Sequence, residues 1–127
     1  MNEKVLLFHI DDPEMLSKIR IALMIQKIGV KVVDVSEYHQ TMGYLAGVHG
    51  ASASEGAYTG ADFDEPMMVF CMPGNRIDGV LAALRKARIS IPYKAMLTPT
   101  NSKWTPVALL AELKRERAEI LKQQRKK

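Results

Sequence analysis

Val5-Leu6-Leu7-Phe8-His9-Ile10 is a short apolar run that does not alternate. A strand of this kind is buried on both faces, which is the signature of a parallel sheet between helix layers. A second such run is Pro66-Met67-Met68-Val69-Phe70-Cys71-Met72. We expect these two to be the central strands. Val30-Lys31-Val32-Val33-Asp34-Val35 alternates better and reads as an edge strand. Pro92-Tyr93-Lys94-Ala95-Met96-Leu97 reads as the fourth strand.

Helical patterns fall between the strands. Asp11-Asp12-Pro13-Glu14 opens the first, with an Asp cap, Pro in the first turn and acids near the positive end of the helix dipole. Met15, Leu16, Ile19, Ala22, Leu23 and Ile28 follow at helical spacing, and Gly29 is expected to stop the helix. Ser36 is placed to cap a short helix over 37–45. Pro73-Gly74-Asn75 turns into a helix over 76–88, and Thr105-Pro106 starts the last one as cap and first residue. Its apolar stripe is Val107, Leu110, Leu113, Ile120 and Leu121. Residues 47–65 are rich in Gly, Ala and Ser, lack periodicity and read as a flexible connector. No Lys-Ser/Thr follows their glycines, so they are no phosphate-binding loop.

The order strand, helix, strand, helix occurs twice, over 4–46 and 66–122. Duplication and ordinary alternation account for it equally well. The expectation is one α/β domain over 1–127 in three layers, a four-stranded parallel sheet of order 2-1-3-4 with helices on both faces. The alternative is a ferredoxin-like split βαβ, which would leave one sheet face open.

Composition excludes several chemistries. The chain of 127 residues holds one cysteine, which rules out an intrachain disulfide framework or a Cys-rich zinc site. It has no apolar run of membrane-spanning length and no signal-peptide pattern, so a cytoplasmic location without membrane attachment is expected. The net charge of +4 sits wholly in residues 112–127, which hold seven basic and three acidic groups. The body is neutral, so nucleic-acid binding is expected of the basic tail over about 118–127, if anywhere. The eight methionines read as core gap fillers.

Two resemblances run along the chain. Asp11-Asp12-Pro13, Met72-Pro73-Gly74, Ile77-Asp78-Gly79, Ile91-Pro92 and Met96-Leu97-Thr98 are similar to response-regulator receiver domains over most of 4–98. Val69 stands where that family has its phosphoacceptor Asp, Ile10 takes one acidic place, and the strand with its essential Lys is missing. That resemblance therefore implies topology and no phosphoryl transfer. The segment Lys94-Ala95-Met96-Leu97-Thr98-Pro99-Thr100-Asn101-Ser102-Lys103-Trp104-Thr105, with Leu110, Glu112-Leu113 and Glu116-Arg117, resembles a small uncharacterised bacterial domain of unknown function over 66–118. Its core is Leu-Thr-x-Thr-Asn-x-x-Trp, and it implies no activity.

Ligands of parallel α/β sheets bind beyond the carboxyl ends of the strands. That edge is expected to collect Asp11, Asp12, Asn75, Thr98, Thr100, Asn101 and Trp104. Two carboxylates opposite hydroxyls and an amide suit a metal or a polar ligand, and the expected function is a binding or regulatory module that takes a protein partner or small polar ligand at this edge. The alternative is a divalent-cation-dependent enzyme using Asp11, Asp12 and the 98–101 loop. Against both stands a structural account. Asp12, Asn75 and Thr105 cap helices, Thr98 and Asn101 satisfy loop backbone, and Trp104 packs as a lid on the core. His9, His39 and His49 show no metal-ligand spacing, and no resident metal or cofactor is assigned. His9 beside Asp11 has the make-up of a general base. A pair of His9 with Cys71 on adjacent central strands lacks an orienting acid.

Overall fold

In a computed structural model that describes residues 3–125, strands and helices alternate along the chain. The strands are β1 (Lys4–Phe8), β2 (Gly29–Val32), β3 (Met67–Cys71) and β4 (Tyr93–Met96). The helices are α1 (Pro13–Ile25), α2 (Met42–Ala46), α3 (Gly74–Lys86) and α4 (Pro106–Arg125). The sheet order is β2-β1-β3-β4, as expected, with β2 at an edge.

Strand direction differs from the expectation. β1 pairs parallel with β2, and β3 parallel with β4, but β1 and β3 are antiparallel, with Lys4 opposite Cys71 and Phe8 opposite Met67. The sheet is mixed, not wholly parallel. Burial of both faces does not report direction: every residue of β3 is buried, and β3 and its central neighbour β1 are covered by helices on both faces just as in a parallel sheet. Because both faces are covered, the ferredoxin-like alternative with an open face is not formed either.

The path between β2 and β3 sets the direction. After β2 the chain crosses the sheet through α2 and reaches the far end, where the Met42 N–H bonds to the Trp104 carbonyl beyond β4. Residues 47–65 form no helix or strand and carry the chain back. Tyr58 and Phe63 pack against Tyr38 with their rings tilted, and Phe63 also stacks on Phe8, at the end of β1. β3 therefore enters where β1 leaves. A chain that entered β3 directly from α2 would run parallel to β1.

The reversal also decides which face each helix covers. Right-handed crossovers moving to opposite sides of parallel strands would place α1 and α3 on opposite faces. With β3 reversed, both pack on one face. Val5 and Leu7 of β1 and Met68 and Phe70 of β3 meet Ile19 and Leu23 of α1 and Val80 and Leu84 of α3. Leu6, Phe8, Met67 and Val69 point the other way, to Met42, Leu45, Leu109 and Leu110 of α2 and α4.

The helix ends have local causes. Asp12 caps α1 by accepting the Glu14 N–H, with Pro13 first in the helix. α1 and α3 terminate alike, at Lys27 (φ 60°) and Arg88 (φ 60°) in the left-handed region. The N–H of Ile28 then bonds to the Leu23 carbonyl and that of Ile89 to Leu84, closing both helices. The stop is thus Lys27, and Gly29 is the first residue of β2. The helix expected over 37–45 is interrupted. A 3-10 turn at Val35–Glu37 is capped by Asp34, not Ser36, and α2 begins anew with Thr41 accepting the Tyr44 N–H. Thr105 caps α4 through the Ala108 N–H. α4 runs on to Arg125, and Lys126 and Lys127 of the basic tail lie outside the described residues. Among the described residues no helix is long and apolar enough to cross a membrane.

Candidate functional site

Reversal of β3 divides the expected site between two edges. Asp11 and Asp12 follow β1, on the edge where β3 begins. Asn75 and residues 98–104 follow β3 and β4, on the opposite edge. Asp11 therefore does not face Thr98, Thr100 and Asn101, as an all-parallel sheet would require.

On the second edge the polar residues are occupied locally. Asn101, 8% exposed, accepts the Thr98 N–H at 2.8 Å and donates to the Met96 carbonyl at 2.8 Å. Thr98 Oγ1 accepts the Asn101 N–H at 3.0 Å. The amide side chain thereby closes the end of the edge strand β4, where backbone groups would otherwise be open. Thr100 is exposed, and its carbonyl accepts the Lys103 N–H at 3.4 Å. Trp104 is half-buried against the core under α2 and α4. Asn75 is the second residue of α3 and no cap; Pro73 holds that position without a side-chain bond. Cys71 ends β3 at this edge too, opposite Lys4 and at the far end of the ladder from His9, so the His9–Cys71 pair does not form. Burial pushes its thiol up to about 11.

The first edge carries a different constellation. His9 stands just beyond β1 with φ 59°, a conformation that non-glycine residues rarely adopt. Its Nδ1 is 3.0 Å from Asp62 Oδ2 and 3.4 Å from Asp11 Oδ2. With carboxylates on that side, Nδ1 carries the proton and donates. The other oxygen of Asp62 accepts the Tyr38 hydroxyl at 3.0 Å and the Phe63 N–H at 2.7 Å. Burial works against ionising Asp62, but these bonds from His9, Phe63 and Tyr38 outweigh it and hold the carboxyl below its ordinary range. Tyr38 is driven up, first by its own burial and then by the bond to Asp62.

Around them lies a cavity of about 240 Å³ lined by His9, Asp11, Asp34, Tyr38 and Asp62 with Val33 and Val35. Asp34 turns inward to its own 3-10 turn, and the bonds from Ser36 lower its carboxyl. One ligand atom each from His9, Asp11 and Asp62 lies within 4.8 Å of the others, so the three can share one cation. One imidazole nitrogen and two carboxylate oxygens form a donor set of the kind that holds a divalent transition metal with positions left open.

Of the expected residues, the structure brings only Asp11 to this cluster. Asp62 and Tyr38 are not among the residues expected from the sequence, where His9 has the make-up of a general base and the histidines show no metal-ligand spacing. The sequence signal was the acidic end of the connector, Asp62-Phe63-Asp64-Glu65. Phe63, buried among Phe8 and Tyr38, brings Asp62 to His9, and that packing has no local signature.

No curated protein and no solved structure matches the chain. Residues 66–120, from the start of β3 through most of α4, match the model of a family described as Domain of unknown function (DUF3783).

Proposed function

We propose that the protein is a small binding module that takes a divalent transition-metal cation at His9, Asp11 and Asp62. The convergence of these three side chains within 4.8 Å carries this reading. Ligands about 2.1 Å from a metal stand roughly 3.0 to 3.4 Å apart in octahedral or tetrahedral sites. The spacings of His9 Nδ1 from the two carboxylates, 3.0 and 3.4 Å, lie in that range. Ligation needs a neutral imidazole with its proton on Nε2 and ionised carboxylates, all of which acid opposes, so binding weakens as pH falls. With three protein ligands the ion keeps open positions at the cavity mouth, where a small anionic or hydroxylated ligand can complete its shell.

Calorimetric titration of the metal-free chain with Zn²⁺ and Mn²⁺ tests this. One equivalent binds, and Asp62→Asn and His9→Gln each weaken binding by about tenfold or more, since even loss of an outer-shell partner costs that much. Stoichiometry far from one, or affinity unchanged in Asp62→Asn, rejects the site.

A second reading rests on the Tyr38–Asp62 bond: the cluster latches the connector to the end of β1. On that reading alone Asp62→Asn lowers the melting temperature, and added metal does not raise that of the parent chain.

A further inference from the structure

On the outer side of the α1/α3 layer lies an open groove of about 560 Å³ that shares no residue with the cation cluster. Its floor is made of small residues, among them Gly79, Ala82 and Ala83, and Ile21 and Ile25 form its wall. Ile21 is 52%, Met24 68% and Ile25 72% exposed, a concentration of large apolar side chains on the last two turns of one helix. Gly79 sits inside α3, where glycine costs about 1 kcal/mol relative to alanine. The fold does not require it: a Cβ there would meet only Gln26 Oε1, at an ordinary 3.7 Å. A floor of this kind admits the close approach of another backbone.

The charge of the α1/α3 layer, of which Lys18 and Lys86 stand at the groove itself, selects the occupant. Segments 13–28 and 74–90, which hold α1 and α3, carry seven basic and two acidic residues. The rest of residues 1–111 carries four basic and nine acidic ones. Lys18 on α1, whose Nζ is 3.7 Å from Glu14 Oε1 one turn back, and Lys86 on α3 rim the groove, and among the described residues no acidic residue lines it. We infer that the groove between α1 and α3 is the docking site for an amphipathic helix of another protein that carries acidic residues beside its apolar face. Its apolar ridge fills the alanine and glycine floor, and its acids meet Lys18 and Lys86.

Other occupants fit less well. A second copy docked through the same face sets Lys18 and Lys86 against their own kind. α4 of a second copy carries five basic residues against three acidic ones, so its net charge is of the same sign as the groove's lysines. A flat anionic bilayer meets the convex rims and leaves the floor empty.

The test uses the full chain and a labelled synthetic helix of about 18 residues, five turns, with Leu and Ala at i, i+3, i+4 and i+7 and Glu on both flanks. Its counterpart carries Lys in place of Glu. Fluorescence anisotropy shows saturable binding of the acidic helix, about tenfold or more tighter than of the basic one. Ala82→Trp, at an exposed floor position where circular dichroism confirms the fold, weakens it by a similar factor. Lys18→Glu with Lys86→Glu reverses the preference and binds the basic helix. Equal binding of both helices, no saturable binding of the acidic one, or indifference to Ala82→Trp overturns the proposal. Sedimentation of the chain with vesicles of phosphatidylserine, lost in Ala82→Trp, would assign the groove to a membrane instead. A dimer dissolved by Ala82→Trp would assign it to a second copy.

Discussion

Leu6 and Val69 stand opposite each other at the centre of an antiparallel ladder, although each belongs to a βαβ unit that is parallel within itself. The two units thus lie head to tail. Each sheet edge receives the carboxyl ends of only two strands, with the amino ends of the other two. The candidate cation cluster follows from that arrangement, because it joins the exit of β1 to the approach of β3.

The connector is the device that reverses β3, and Phe63 anchors it. Phe63→Ala removes a side chain that is 7% exposed and packed on Phe8 and Tyr38. Urea denaturation should show a loss of about 3 kcal/mol. Limited proteolysis should cut within 47–65 faster than in the parent chain. An unchanged midpoint would mean that the aromatic contacts do not fasten this segment.

Asp62 links stability to pH. Its folded carboxyl lies below the ordinary value of 3.8, so the unfolded chain takes up the proton more readily. The stabilisation is fully present above that value and is lost as pH falls through the lower, folded one. Denaturation curves for the parent chain should weaken with acid more steeply than those of Asp62→Asn in that window. The two should converge at the acid end. Parallel curves would show that Asp62 is not held ionised by His9 and Tyr38.

Asn101 should prove structural. Asn101→Ala orphans the Thr98 N–H and the Met96 carbonyl at a buried position, a loss of about 2 kcal/mol in thermal or urea unfolding. Thr98→Val, which leaves both side-chain bonds of Asn101 in place, should cost less. A neutral Asn101→Ala would free this residue for a ligand role.

Gly79→Ala should stabilise the chain by about 1 kcal/mol, since the new methyl group meets no clash and the helix gains propensity. A higher melting temperature together with weaker binding of the acidic helix would separate what the fold needs at this position from what the groove needs.

Local chemistry along the chain was enough to locate both central strands, the edge position of β2 and the strand order. The same holds for the caps at Asp12-Pro13 and Thr105-Pro106. These depend on periodicity and on capping within a few residues, and both are legible without a third dimension. The local role of Asn101 and Thr98 was visible for the same reason, their bonds spanning only three to five residues. Strand direction was not legible, because burial on two faces reads the same for parallel and antiparallel neighbours. The site shared that fate. His9 and Asp62 are 53 residues apart, and their meeting depends on where the connector returns to the sheet. The packing of Phe63 on Phe8 and Tyr38, with the Tyr58 N–H bonded to the Ser36 carbonyl and Gln40 bonded to the Ser54 backbone, decides that, because burial and bonds between distant segments, not a local motif, place the carboxylate beside the imidazole.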